Sequence, residues 1–196
     1  MSVDVSPYLA DPDKPLPATF DAATRSGSIK VNFPTSSKDI PDRDYHTRVE
    51  SSSSSIFGSF IFSSEASFYS KSGSIRAEVL AADWSKARLY TESPSGSTRL
   101  TLLSPYKEPG VALSQLHSSH LSTSGSINLV YPREWEGMIE GKVRSGSVKI
   151  GGKDVKWLAD ADTPVGRKVV ARKGYGSSRL DFETNSGSVN MQIGDS

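Results

Sequence analysis

Apolar and polar positions alternate with a period of two along most of this chain. The alternation restarts at six Ser-Gly-Ser triplets, centred on Gly27, Gly73, Gly96, Gly125, Gly146 and Gly187. Taking each glycine as position zero, positions +2, +4 and +6 are Ile29, Val31 and Phe33 in the first copy, then Ile75, Ala77 and Val79, then Thr98, Leu100 and Leu102. The later copies give Ile127, Leu129 and Tyr131, then Val148, Ile150 and Gly152, then Val189, Met191 and Ile193. Polar residues fill the places between, for example Lys30 and Asn32, Arg76 and Glu78, or Asn190 and Gln192. Such alternation marks a strand with one buried face, and an amphipathic helix does not generate it.

The same phase holds upstream of each triplet. Position −7 is Phe20, Ala66, Leu89, Ile139 and Leu180, with Ser118 the exception, and position −3 is small or β-branched throughout. Each unit therefore reads strand, bend, strand. The glycine is expected to take a backbone conformation that a Cβ would penalise, and the flanking serines to hydrogen-bond the backbone at the bend. Two intervals between glycines are about twice the others. The first accommodates a divergent unit centred on Ser54, with Val49 and Ser51 before the bend and Ile56, Gly58 and Phe60 after it. The second holds Val155 to Leu158 and Val165 to Lys173, where the alternation leaves the register open. Any helix is expected only in loops such as Val111 to Ser119.

Short units that cannot bury their own apolar face must stack. The pattern predicts an all-β, β-solenoid or β-roll-like stack of about six to seven coils, with an antiparallel β-sandwich as the alternative. Residues 1–18, with four prolines and three aspartates, read as an extended leader, and residues 19–196 as a single repeat-built β domain. The leader has no basic region followed by an apolar run, no stretch of the chain is long and apolar enough to span a bilayer, and no Asn-x-Ser/Thr sequon occurs. A cytoplasmic location is the expectation.

These residues resemble a group of fungal adhesin-like β-solenoid domains of unknown function. The resemblance rests on the repeated Ser-Gly-Ser-Ile/Val bends and on Ile127 to Gly137, INLVYPREWEG, where a strand ends in proline and an aromatic and a glycine lead onward. It covers about Phe20 to Ile193. It implies a stacked β fold, with "adhesin-like" a description of shape.

Composition narrows the chemistry. With no cysteine, disulfides, thiolate metal sites and cysteine nucleophiles are excluded. A net charge of +1 steers the whole chain neither to nucleic acid nor to a membrane surface. His117 and His120 are three apart, but no carboxylate neighbours them and His46 is distant, so they read as exposed loop histidines rather than zinc ligands. No Gly-x-Ser-x-Gly elbow marks a serine nucleophile. Trp135 between Glu134 and Glu136 is the candidate ligand contact, an aromatic platform with two carboxylates. Gly166 to Gly174, GRKVVARKG, offers four cations, but strand phase divides them, Arg167 and Lys173 facing one way and Lys168 and Arg172 the other, as on an exposed edge strand guarded by charge. No cofactor or metal is expected. The chain is read as a non-catalytic binding, adhesin-like or scaffold module for a protein or carbohydrate, without nucleic-acid or membrane partners. Its stack ends are expected to permit homo-oligomers, and a carbohydrate-active enzyme on a β-helix scaffold is the alternative.

Overall fold

A computed structural model describes residues 2–4, 16–35, 40–41, 43–82, 86–104, 113 and 115–194. Among these the protein is all-β, with no helix. Seven units each place one strand before their bend and one after it. They are β2 (Ala18–Thr24) with β3 (Ile29–Asn32), β4 (Tyr45–Ser51) with β5 (Ile56–Phe62), β6 (Glu65–Ser70) with β7 (Ile75–Ala81), β8 (Arg88–Ser93) with β9 (Thr98–Leu103), β10 (His117–Ser122) with β11 (Ile127–Tyr131), β12 (Gly137–Ser145) with β13 (Val148–Gly151), and β16 (Ser178–Ser186) with β17 (Val189–Ile193). A short β1 (Ser2–Asp4) pairs with β3, and β14 (Val155–Thr163) with β15 (Gly166–Lys173) forms a hairpin between the sixth and seventh units.

The bends carry the chain from one sheet to the other. An eight-stranded sheet runs β1-β3-β5-β7-β9-β11-β17-β13, and a nine-stranded sheet runs β14-β15-β12-β16-β10-β8-β6-β4-β2. Neighbouring strands are parallel, because each unit enters its sheet from the same side; only β14–β15 and β15–β12 are antiparallel. The divergent unit at Ser54 takes its place between the first and third in both sheets.

Both architectures expected from the sequence are corrected here. Predominantly parallel pairing rules out the antiparallel sandwich. A solenoid adds each coil beside the one before it, whereas here the last unit inserts between the fifth and sixth: β16 lies between β10 and β12, and β17 between β11 and β13. The result is two layered, mostly parallel sheets that are not wound in chain order. The expected helix is also absent where it can be judged, since His117 to Ser119 belong to β10; residues 111, 112 and 114 lie outside the described residues.

The core lies between the layers. The inward set Ile29, Val31, Ile56, Phe60, Ile75, Val79, Leu100, Ile127, Leu129, Val189 and Ile193 meets Val49, Phe68, Leu89, Ile139 and Leu180 from the opposite sheet, all at most 1% exposed. Phe60 and Phe68 pack edge to face across the layers, with ring centroids 4.7 Å apart. Parallel strands buried on one face only retain their alternation, which is why the pattern is so plain in the sequence.

The hairpin extends the nine-stranded sheet beyond the end of the other. β14 is almost wholly exposed, with Trp157 at 42% and Leu158 at 55%. Its pairing with β15 is interrupted by a bulge between Trp157 and Ala159, a feature that bends an edge strand and discourages further pairing. β15 is an interior strand, so the basic segment Gly166 to Gly174 is not the guarded edge that the sequence suggested.

Candidate functional site

The Trp135 segment is structural. Trp135 is fully buried, packs edge to face on Tyr131 at 5.9 Å between ring centroids, and bridges Leu113 in parallel. The buried ammonium of Lys173 donates to the backbone carbonyls of Arg133 and, at 3.1 Å, Trp135. Ser178 holds the same corner, its hydroxyl donating to the Leu113 carbonyl at 2.6 Å and accepting the Leu116 N–H at 2.9 Å. The Glu134 side chain is 6% exposed and receives bonds from Arg133 Nε and from the Ser104 hydroxyl, both at 3.1 Å. Desolvation pushes its carboxyl up, but hydrogen bonds from its own backbone, Arg133 and Ser104 outweigh that and hold it below the usual carboxylate range. A general acid needs the reverse. Glu136 accepts the Tyr175 N–H at 3.1 Å. Trp135 thus shows no face to solvent, and both neighbouring carboxylates secure loops.

The histidines separate, because residues three apart on a strand face opposite ways. His117 is exposed, whereas His120 is buried between the sheets with Nδ1 2.8 Å from Thr91 Oγ1 and Nε2 2.9 Å from the Tyr131 hydroxyl. Burial lowers the His120 pKa to about 3. It is therefore a neutral core residue and not the exposed loop histidine expected. No three His, Asp or Glu side chains among the described residues come within metal-binding range of one another.

The repeat itself builds the remaining candidate, the edge where the bends stack. In space the bends run Gly27, Ser54, Gly73, Gly96, Gly125, Gly187, Gly146. A Cβ built on Gly96 would lie 2.1 Å from the Gly73 carbonyl oxygen, one on Gly125 1.9 Å from that of Gly96, and one on Gly187 2.3 Å from that of Gly125. Gly27 (φ 101°) and Gly146 (φ 138°) occupy the left-handed region, but Gly73, Gly96, Gly125 and Gly187 do not. For those four, close approach between bends requires the glycine, rather than the unusual dihedral expected from the sequence.

Serines tie the column together. The Ser93 hydroxyl accepts the Gly96 N–H at 3.1 Å and donates to the Gly73 carbonyl at 2.9 Å; Ser70 does the same for Gly73 and Ser54. The residue at +2 donates its N–H to the +1 carbonyl of the next unit: Ile75 to Ser97, Thr98 to Ser126, Ile127 to Ser188, Val189 to Ser147. At parallel-strand spacing the seven bends span about 29 Å.

Charge is segregated along this edge. Position −2 carries Arg25, Lys71 and Arg144, and position +3 carries Lys30, Arg76, Arg99 and Lys149, all exposed. The +3 residues stand side by side in one row, Lys30, Phe57, Arg76, Arg99, Asn128, Asn190, Lys149. From −2 to +1, and at +3, no unit has an aspartate or glutamate. None of these seven cations forms an ion pair among the described residues, whereas on the nine-stranded sheet Arg48 pairs with Glu50, Arg167 with Asp160, and Arg179 with Asp181. A protein of net charge +1 thus gathers seven unneutralised cations on one edge. The four cations of β15 divide as strand phase predicted: Lys173 points inward and is buried, Arg167 is clamped by Asp160 at 2.5 and 2.6 Å, and Lys168 and Arg172 face out.

Comparison with protein families, curated proteins and solved structures finds no match to this chain.

Proposed function

We propose that the protein is a non-catalytic binding module whose contact surface is the stacked-bend edge, and that its ligand is an extended polyanion lying along the column. The observation that carries this is the charge segregation: seven exposed, unpaired cations flank a column of small residues with no carboxylate among them. Surface charges usually intersperse, because like charges held close repel one another; a one-signed strip raises the local potential and attracts an oppositely charged chain. The two-layer core gives the strip rigidity, so little ordering is required of the protein when the ligand arrives.

The test is binding of inorganic polyphosphate, a polyanion without further recognition features, to the wild type and to the double variant Arg76→Glu/Arg99→Glu. The control is Lys156→Glu/Lys168→Glu, which makes the same charge change on the nine-stranded sheet. Binding should weaken steeply with salt, and the edge variant should bind at least roughly tenfold more weakly than the control. Equal loss in both variants, or no binding by the wild type, would reject the reading.

A further inference from the structure

The edge carries a second regularity beyond charge. In every one of the seven units both residues flanking the central position are serine, including the divergent unit, where Ser53 and Ser55 flank Ser54. The two flanks do different work. On the +1 side the hydroxyls serve the stack: Ser55 Oγ accepts the Ser74 N–H at 3.2 Å, Ser74 Oγ the Ser97 N–H at 3.3 Å, and Ser147 Oγ donates to Ser188 Oγ at 3.0 Å. On the −1 side the hydroxyls of Ser72, Ser95 and Ser145 are exposed and make no hydrogen bond among the described residues. Stacking does not account for a hydroxyl at these places. Ser124 is the exception on this side, its hydroxyl donating to the Pro94 carbonyl at 3.2 Å. The outcome is a set of unengaged hydroxyls at Ser72, Ser95 and Ser145, with cations on both sides of the bend at Gly73 and Gly146 and Arg99 on one side at Gly96.

We infer that the ligand is a linear acidic polysaccharide, a chain of uronic-acid or sulfated sugars with its axis along the bends; this rests on the reading that the edge binds an extended polyanion. Units repeat at about 4.8 Å, and an extended chain of pyranose rings advances by a similar length per sugar, so one sugar can meet one unit. Serine hydroxyls both donate and accept, as sugar hydroxyls require. In a 1,4-linked chain with two-fold character, successive acidic groups project to opposite sides. Cations are available on both sides of the column for such groups: Arg25 and Lys30 flank the bend at Gly27, Lys71 and Arg76 that at Gly73, and Arg144 and Lys149 that at Gly146. A single-stranded nucleic acid would seek stacking platforms for its bases. Across these positions the edge has one aromatic residue, Phe57, and it is only half exposed.

The experiment compares three probes of matched charge at one salt concentration: an oligogalacturonate, an oligothymidylate and inorganic polyphosphate. Each is titrated into the wild type and into Ser72→Ala/Ser95→Ala, a variant that removes unengaged hydroxyls and whose fold is checked by its melting temperature. The oligogalacturonate should bind most tightly, and the serine variant should lose about tenfold for it alone, the loss of roughly two hydrogen bonds. Equal affinity for all three probes, with the serine variant indistinguishable from wild type, overturns the polysaccharide inference and leaves the polyanion reading standing. Preference for oligothymidylate overturns it in favour of nucleic acid. Failure of every probe to bind rejects both.

Discussion

Gly96 lies against Gly73 so closely that a Cβ on Gly96 would stand 2.1 Å from the Gly73 carbonyl oxygen. Backbone cannot retreat as a flexible side chain can, so the strain of a methyl group passes into two adjacent units. Gly96→Ala should therefore destabilise by about 2–4 kcal/mol. At Gly27 nothing lies within 4 Å, and the cost of Gly27→Ala is its φ of 101° alone, about 1 kcal/mol. Chemical denaturation of the two variants measures the difference, and equal losses would mean that the bends do not stack this closely.

Ser93 is the hydrogen-bonding counterpart of that contact. Its hydroxyl is the acceptor for the Gly96 N–H and the donor to the Gly73 carbonyl, and the residue is fully buried. Ser93→Ala leaves both groups without this partner and should cost about 1–3 kcal/mol. Ser95→Ala, two residues on and exposed, should change stability by less than about 0.5 kcal/mol.

Leu100 and Arg99 are adjacent on β9 and face opposite ways, Leu100 buried and Arg99 exposed. Leu100→Asp places an unpaired charge between the sheets and should prevent stable folding. Arg99→Asp should leave the melting temperature nearly unchanged while weakening polyanion binding. Equal tolerance of the two changes would contradict the strand phase.

His120 makes stability depend on pH. Its folded pKa is lowered from 6.5 to about 3 by burial, and the groups bonded to it, Thr91 and Tyr131, are uncharged. A depressed folded value means that the unfolded chain takes up the proton first. The full contribution is present above pH 6.5 and is lost as pH falls from 6.5 towards 3, at about 1.4 kcal/mol per pH unit. Denaturation at pH 7 and pH 5 should show a drop of about 2 kcal/mol from this residue. His120→Gln should lower stability at pH 7 and remove that part of the pH dependence.

Strands were legible in the sequence because each buries one face, so Ile75, Ala77 and Val79 announce the inward face of β7. The unit at Ser54 was legible for the same reason despite its lost glycine, since Ile56 and Phe60 keep the phase. Unit order was not legible. Val148 and Val189 offer similar residues to a neighbour, and the choice depends on fit such as the Phe182 ring, which lies where a Cβ on Gly141 would be, 2.0 Å from its nearest atom. Hairpin register was hidden because β14 is exposed on both faces and imposes no alternation. Trp135 drew attention through its flanking glutamates, but its true partners, Tyr131 and Lys173, are set by the fold. The cationic edge was present in the sequence as the absence of acidic residues around each bend. Its meaning appears only when sheet order makes those positions neighbours.

The central claim is that the stacked bends are the binding surface, and mapping amide chemical shifts during titration with an acidic oligosaccharide tests it most directly. The account predicts perturbations at Arg25 to Lys30, Lys71 to Arg76, Pro94 to Arg99 and Arg144 to Lys149, excepting proline, and quiet amides at Arg48, Tyr90 and Asp181. Perturbations centred on the outer face of the nine-stranded sheet or on the β14–β15 hairpin, with the bends unmoved, would contradict it.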